Sequence, residues 1–146
     1  MKVNLFVSKD IKEDYADIHT NKLTEDITKA IVILENNNSN DILPVKKDDN
    51  IVLLEFKNIF MVRVEDGKVK VFTQSNDYII KKPLYQVEEI LTKDFVRISK
   101  TTIINIRKIQ RVTPSLKGMM FVELKNNLKD NISRKYLPLF KEALDL

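Results

Sequence analysis

The chain has no cysteine and no tryptophan, a single histidine and only two glycines. Each shortage closes a class of function. Without cysteine there is no disulfide, no thiol nucleophile and no cysteine-held zinc, a composition that fits a reducing compartment. His19 cannot build a histidine cluster for a metal. No nucleophile motif surrounds it, so it reads as a surface or satisfied side chain. Gly67 and Gly118 lie far apart and leave no glycine-rich loop of the kind that cradles a nucleotide phosphate. The acid pairs Asp48/Asp49, Glu65/Asp66 and Glu88/Glu89 fall in turns or on a helix without calcium-loop spacing, and a solvated role explains them. No apolar run reaches the roughly 18 residues that a membrane span requires. The opening Met1-Lys2-Val3-Asn4-Leu5-Phe6-Val7 is too short for a signal peptide. Catalysis, a cofactor, a metal and membrane insertion are therefore not expected, and the cytoplasm is the expected compartment.

What is present is a core and an uneven charge. The 146 residues are 43% hydrophobic and 32% charged, enough to fold into one ordinary domain with a small appendage. Residues 1–40 carry five Lys and seven acids, whereas residues 41–146 carry twenty Lys and Arg against fourteen acids. From Lys93 to Glu142 twelve basic residues meet only four acids. Such an excess favours a polyanion, because each phosphate neutralised releases condensed counterions. A lysine-rich solvated surface would give the same count.

The polar segment Asn36-Asn37-Asn38-Ser39-Asn40-Asp41 is the clearest linker and marks the change of charge balance. Before it, Val3, Leu5 and Val7 alternate with Asn4, Phe6 and Ser8 as in a half-buried strand, and Tyr15–His19 is a second candidate strand. Leu23, Ile27, Ala30, Ile31 and Leu34 share one helical face, with Thr24 as N-cap and Glu25 and Asp26 in the first turn. This strand–helix unit of residues 1–40 is too small to hold a core alone, so it is expected to cover its apolar face in a homodimer, on the rest of the chain or against a regulatory protein partner.

Residues 41–146 read as β-rich. Candidate strands are Leu43–Lys47, Ile51–Phe56, Ile59–Glu65, Lys68–Gln74, Tyr78–Lys81, Phe95–Ser99 and Lys108–Pro114. A hairpin follows from Met119–Lys125 to Leu128–Ser133. Glu65-Asp66-Gly67 is the strongest turn signal, with a residue tolerant of positive φ between two strands. Pro83 opens a short helix with Leu84, Val87, Ile90 and Leu91 as its stripe, and a last helix from about Lys135 buries Leu137, Phe140 and Leu144.

Within this β-rich part, Phe95-Val96-Arg97-Ile98-Ser99-Lys100-Thr101-Thr102-Ile103-Ile104-Asn105-Ile106-Arg107-Lys108-Ile109 resembles the signature of the LytTR DNA-binding domain. Phe95, Arg97, Ile104-Asn105 and Lys108-Ile109 fit it. The hairpin Ile59–Thr73 upstream and Ile132-Ser133-Arg134-Lys135-Tyr136-Leu137 downstream match further family features in the right order. The resemblance covers about Leu43 to Leu144. It implies a mainly β fold (α+β overall) of short antiparallel sheets with one inserted and one terminal helix. It also implies that loops, not a helix, enter successive major grooves at paired promoter repeats. Carried over by position, the DNA-reading candidates are Lys68 beside Gly67, Lys100 with Thr101, and Arg134 with Lys135. One departure stands out. Ser99-Lys100 replaces the family's His-Arg, so a forked guanidinium gives way to a point charge that cannot pair a guanine edge bidentately.

The residues also have plainer explanations. Phe95, Ile98, Ile103, Ile104 and Ile106 are core positions. Asn105 is expected to satisfy backbone groups in a turn. Arg97 suits packing or a phosphate better than a base. Lys117 falls on a turn expected to lie away from the reading loops. The leading expectation is a sequence-specific regulator binding double-stranded DNA. The alternative is a basic protein–protein interaction module without specific DNA binding. An RNA binder is disfavoured because Phe95, Phe121 and Tyr136 sit where core packing accounts for them. A phosphorylatable receiver needs on the order of 100 residues, so forty residues cannot supply one.

Overall fold

The computed structural model describes residues 1–35 and 41–146. The asparagine-rich segment 36–40, which holds most of the expected linker, lies outside the described residues. The chain divides into two compact units, Met1–Ser39 and Asn40–Leu146. In the first, α1 (Glu25–Leu34) starts as its sequence dictates. Thr24 is extended and its Oγ1 accepts the Ile27 N–H at 3.3 Å, while Glu25 and Asp26 occupy the positive end of the helix dipole. Of the expected apolar stripe only Ile27 is buried; Leu23 and Leu34 remain 68% and 60% exposed.

The strands expected at Val3–Val7 and Tyr15–His19 do not form, and no strand occurs among residues 1–24. Alternation makes a strand only when a neighbouring strand takes up the ladder hydrogen bonds and one face is covered. Here Val3, Leu5, Phe6 and Val7 are all exposed, so neither condition is met. The unit is a helix with irregular chain before it, rather than a strand–helix pair.

The second unit runs β1 (Ile42–Lys47), β2 (Asn50–Glu55), β3 (Met61–Glu65), β4 (Lys68–Phe72), β5 (Asp77–Ile80) and α2 (Leu84–Ile90). It continues with β6 (Phe95–Arg97), β7 (Thr102–Asn105), β8 (Ile109–Pro114), β9 (Met120–Leu124), β10 (Lys129–Ile132) and α3 (Leu137–Ala143). The strands form a seven-stranded sheet of order β2-β1-β5-β4-β3-β7-β6 and a three-stranded sheet of order β10-β9-β8, with every ladder antiparallel. The mainly β, α+β architecture is the one the sequence implied. At the β3–β4 turn Asp66 and Gly67 have φ of 52° and 74°, the paired positive values of a type I′ hairpin whose twist suits the flanking strands.

Two cores lie on opposite faces of the large sheet's centre, because side chains alternate along a strand. On β3 and β7, Val62 and Ile103 enter a core with Leu43, Val71, Leu84 and Val87. Their neighbours Met61 and Ile104 enter a second core with Val122, Leu124, Ile132 and Phe140. Strand β7 was not foreseen. All four of its residues are buried, and a strand covered on both faces shows a short continuous run instead of alternation. Of the expected α2 stripe, Leu84, Val87 and Leu91 are buried, whereas Ile90 is 38% exposed. The last helix begins at Leu137, later than Lys135, and packs Leu137, Phe140 and Leu144 as expected.

Candidate nucleic-acid interface

Strand register brings the sequence candidates to one end of the large sheet. Glu65 pairs Lys68 across the β3–β4 turn, and Arg63 pairs Thr102 on the next strand. Beyond that pair the Val64 N–H donates to the Thr101 carbonyl at 2.8 Å, so the loop carrying Lys100 and Thr101 lies beside the Gly67 turn. From the other sheet, β10 ends over the same loop, its continuation Ser133 donating N–H to the Ile98 carbonyl at 2.9 Å. Arg134 and Lys135 follow at once, in the corner before α3. Lys68, Lys100, Thr101, Arg134 and Lys135 are all exposed.

A polar network ties these segments together underneath. Asp130 Oδ2 accepts the buried Thr102 hydroxyl at 2.8 Å and lies 3.5 Å from Arg63 Nη1. Arg63 Nε donates to Glu65 Oε1 at 2.9 Å, Lys70 Nζ lies 3.3 Å from Glu65 Oε2, and the Arg63 guanidinium stacks over Phe72. Desolvation would raise the Glu65 carboxyl, but hydrogen bonds and charge from Arg63 and Lys70 outweigh it and hold it below its ordinary value.

The 98–101 loop is braced from within. Arg97 Nε donates to the Ser99 carbonyl at 2.7 Å and its Nη2 to the Lys100 carbonyl. Nη1 meets Glu88 of α2 at 2.7 Å. Ser99 Oγ, standing where the family has histidine, accepts the Thr101 N–H at 3.2 Å, a short-range turn bond typical of serine. Arg97 is thus a packing residue, its guanidinium spent on the loop's own backbone and on Glu88. Its outer face lies over the Tyr136 ring, which Lys135 also approaches at 5.6 Å.

Arg134 does have a structural partner. Its Nη2 donates to the Lys117 carbonyl at 2.8 Å. The β8–β9 loop therefore reaches the corner that carries Arg134, and Lys117 does not lie away from that candidate as the sequence suggested. No sequence signal marks this contact, because a backbone carbonyl is supplied by any residue. Asn105 does what its position promised: buried, it donates Nδ2–H to the Ile59 carbonyl at 2.9 Å and accepts the Arg107 N–H at 3.0 Å. Phe121, expected in the core, is instead 44% exposed, since it alternates with buried Val122 on β9.

Comparison with known proteins matches this architecture. Residues 49–145 match the family model of the LytTr DNA-binding domain. A solved LytTr DNA-binding domain from Bacillus cereus superposes with a TM-score of 0.69 at 21% identity, covering 73% of this chain and 98% of that one. Two relatives from Staphylococcus aureus, strains NCTC 8325 and COL, are 28% identical over the whole chain and 99% of their own length. Both carry the description of uncharacterized HTH-type transcriptional regulators. Their match extends over the N-terminal residues that the family model leaves out. Among the described residues here no two helices are consecutive in the chain. On the family match and the shared fold, this chain belongs to the LytTr DNA-binding domain family.

Proposed function

We propose that the protein is a cytoplasmic transcription regulator that binds double-stranded DNA sequence-specifically through this end of the sheet. The observation that carries the reading is the convergence of three separate chain segments, each presenting exposed cations or hydroxyls, on one edge. From β5 to β6 the end spans four strand spacings, roughly 19 Å at about 4.8 Å each. That exceeds one major groove, about 12 Å wide, so bases and flanking backbone are within reach together. Arg134 is the proposed base reader, Lys100 and Thr101 the second contact, and Lys68 and Lys135 phosphate contacts. Residues 1–40 serve as a homodimer or partner surface, for which the exposed Leu23, Val32, Ile33 and Leu34 are the support. A dimer would match paired half-sites.

The test is selection of bound duplexes with purified protein, followed by affinity measurements on the recovered and scrambled sequences. Arg134→Ala is expected to cost about 1–3 kcal/mol on the recovered site and to relax preference at one base step. Equal loss on both duplexes would reduce Arg134 to a backbone contact. Sedimentation of the full chain and of a truncation starting at Asp41 should give dimer and monomer; two monomers at micromolar concentration refute the dimer.

A further inference from the structure

Beside the Gly67 turn the surface sinks into an open groove of about 470 Å³ lined by Gly67, Lys68, Val69, Ile80, Lys81 and Lys82, among others. Because Val69 pairs Ile80, the antiparallel register sets Lys68 directly opposite Lys81, with Lys82 next along the chain. Like charges facing one another across strands destabilise a sheet, and nothing here relieves them. Among the described residues, none of the three ammonium groups has an ion-pair or hydrogen-bond partner. Glu65, which lies opposite Lys68, is already engaged by Arg63 and Lys70. At the tip, a Cβ added to Gly67 would meet nothing within 4 Å, so a ligand can come close to the backbone.

We infer that Lys81 and Lys82 form, with Lys68, a clamp for the phosphodiester backbone of DNA flanking the bases that are read. The inference rests on the DNA-binding reading above and adds a contact to it. The groove's volume is that of a small-molecule pocket, about 300–1,000 Å³, but such pockets close over their ligand, whereas this one is open to solvent. It suits a strand passing through. Position supports the same ligand. Strand β5 lies three spacings from β7, roughly 14 Å at about 4.8 Å each. A major groove is about 12 Å wide. With the Lys100 loop inside a groove, Lys81 and Lys82 reach its phosphate wall. Backbone contacts of this kind set register on the duplex and carry no sequence information.

The experiment measures affinity by fluorescence anisotropy between 50 and 200 mM salt. The probes are a labelled duplex recovered by selection with this protein and a scrambled duplex of equal length. The variants are the double change Lys81→Ala/Lys82→Ala, the charge reversal Lys82→Glu, and Lys125→Ala as control. Lys125 precedes Asn126, whose side chain bonds the Thr73 carbonyl past the other end of β4. Each lost phosphate contact flattens the salt slope by about 0.9. The double variant should therefore be about twelvefold less sensitive to this fourfold change in salt. It should lose equal affinity on both duplexes, Lys82→Glu should lose more, and Lys125→Ala should match wild type. All four proteins are compared by circular dichroism. A double variant with wild-type slope and affinity overturns the clamp, as does a loss confined to the selected duplex. If the wild type binds no duplex with any salt dependence, the DNA-binding reading itself falls.

Discussion

Replacing Asn105 by alanine separates the scaffold from the binding surface. The side chain is 3% exposed and bridges two backbone groups from distant parts of the chain. Its removal leaves the Ile59 carbonyl, in a fully buried residue, and the Arg107 N–H without their partners. A buried polar group left unmade costs about 1–3 kcal/mol. Ile59 belongs near the upper end of that range. Arg107 is an exposed residue, where water can take over the lost bond, so it belongs near the lower end. The sum is about 2–4 kcal/mol. With an m-value of about 1.5 kcal/mol per molar urea, the unfolding midpoint of Asn105→Ala should fall by roughly 1.3–2.7 M. Below the transition, its affinity for DNA should equal that of wild type, because the amide faces Ile59 and Arg107 and not the exposed end of the sheet. An unchanged urea midpoint together with lost DNA binding would refute the reasoning and put the amide on the nucleic acid.

Two further outcomes follow from the β3–β4 turn. The Glu65 carboxyl is held below its ordinary value of 4.5, so its contribution is present above that pH and is lost as pH falls through the lower, folded-state value; Glu65→Gln should flatten this acid limb in urea titrations between pH 6 and pH 3. Gly67→Ala places a methyl group at φ +74° in open space, so its cost is backbone strain alone, about 1 kcal/mol, seen as a melting midpoint lower by about 3–5 °C; no change would mean that the turn has another conformation in solution.

The large sheet was legible where one face is wet. Strand β1 alternates in burial, and Val62-Arg63-Val64-Glu65 and Lys68-Val69-Lys70-Val71 alternate in sequence on either side of Asp66-Gly67, so pattern and turn chemistry agreed. Strand β7 was not legible, because Thr102–Asn105 is buried on both sides and its run is too short to stand out. The N-terminal alternation misled for the opposite reason: Val3, Leu5 and Val7 have the pattern of a strand and no ladder to join. At the candidate interface the charged side chains could be named from motif resemblance alone. Their arrangement could not, since it depends on register. Lys81 faces Lys68 only because β5 pairs β4 in the register that sets Val69 opposite Ile80. The partner of Arg134 was invisible for a simpler reason: it is a peptide carbonyl.

That carbonyl has a consequence for selectivity. An arginine side chain carries about 2 kcal/mol of rotamer freedom, and its guanidinium offers five N–H donors. Arg134 gives one to the Lys117 carbonyl and keeps four, more than the two that a guanine edge takes. The free protein therefore holds the guanidinium in one direction before any duplex arrives, and less ordering remains to be done on contact. The loop that aims it turns at Gly118, with φ +73°, and ends in Leu116 and Lys117, side chains with no assigned base. Under the proposed reading, exchange of residues 115–119 between relatives would redirect the guanidinium and shift the preferred base step while Arg134 itself stays unchanged.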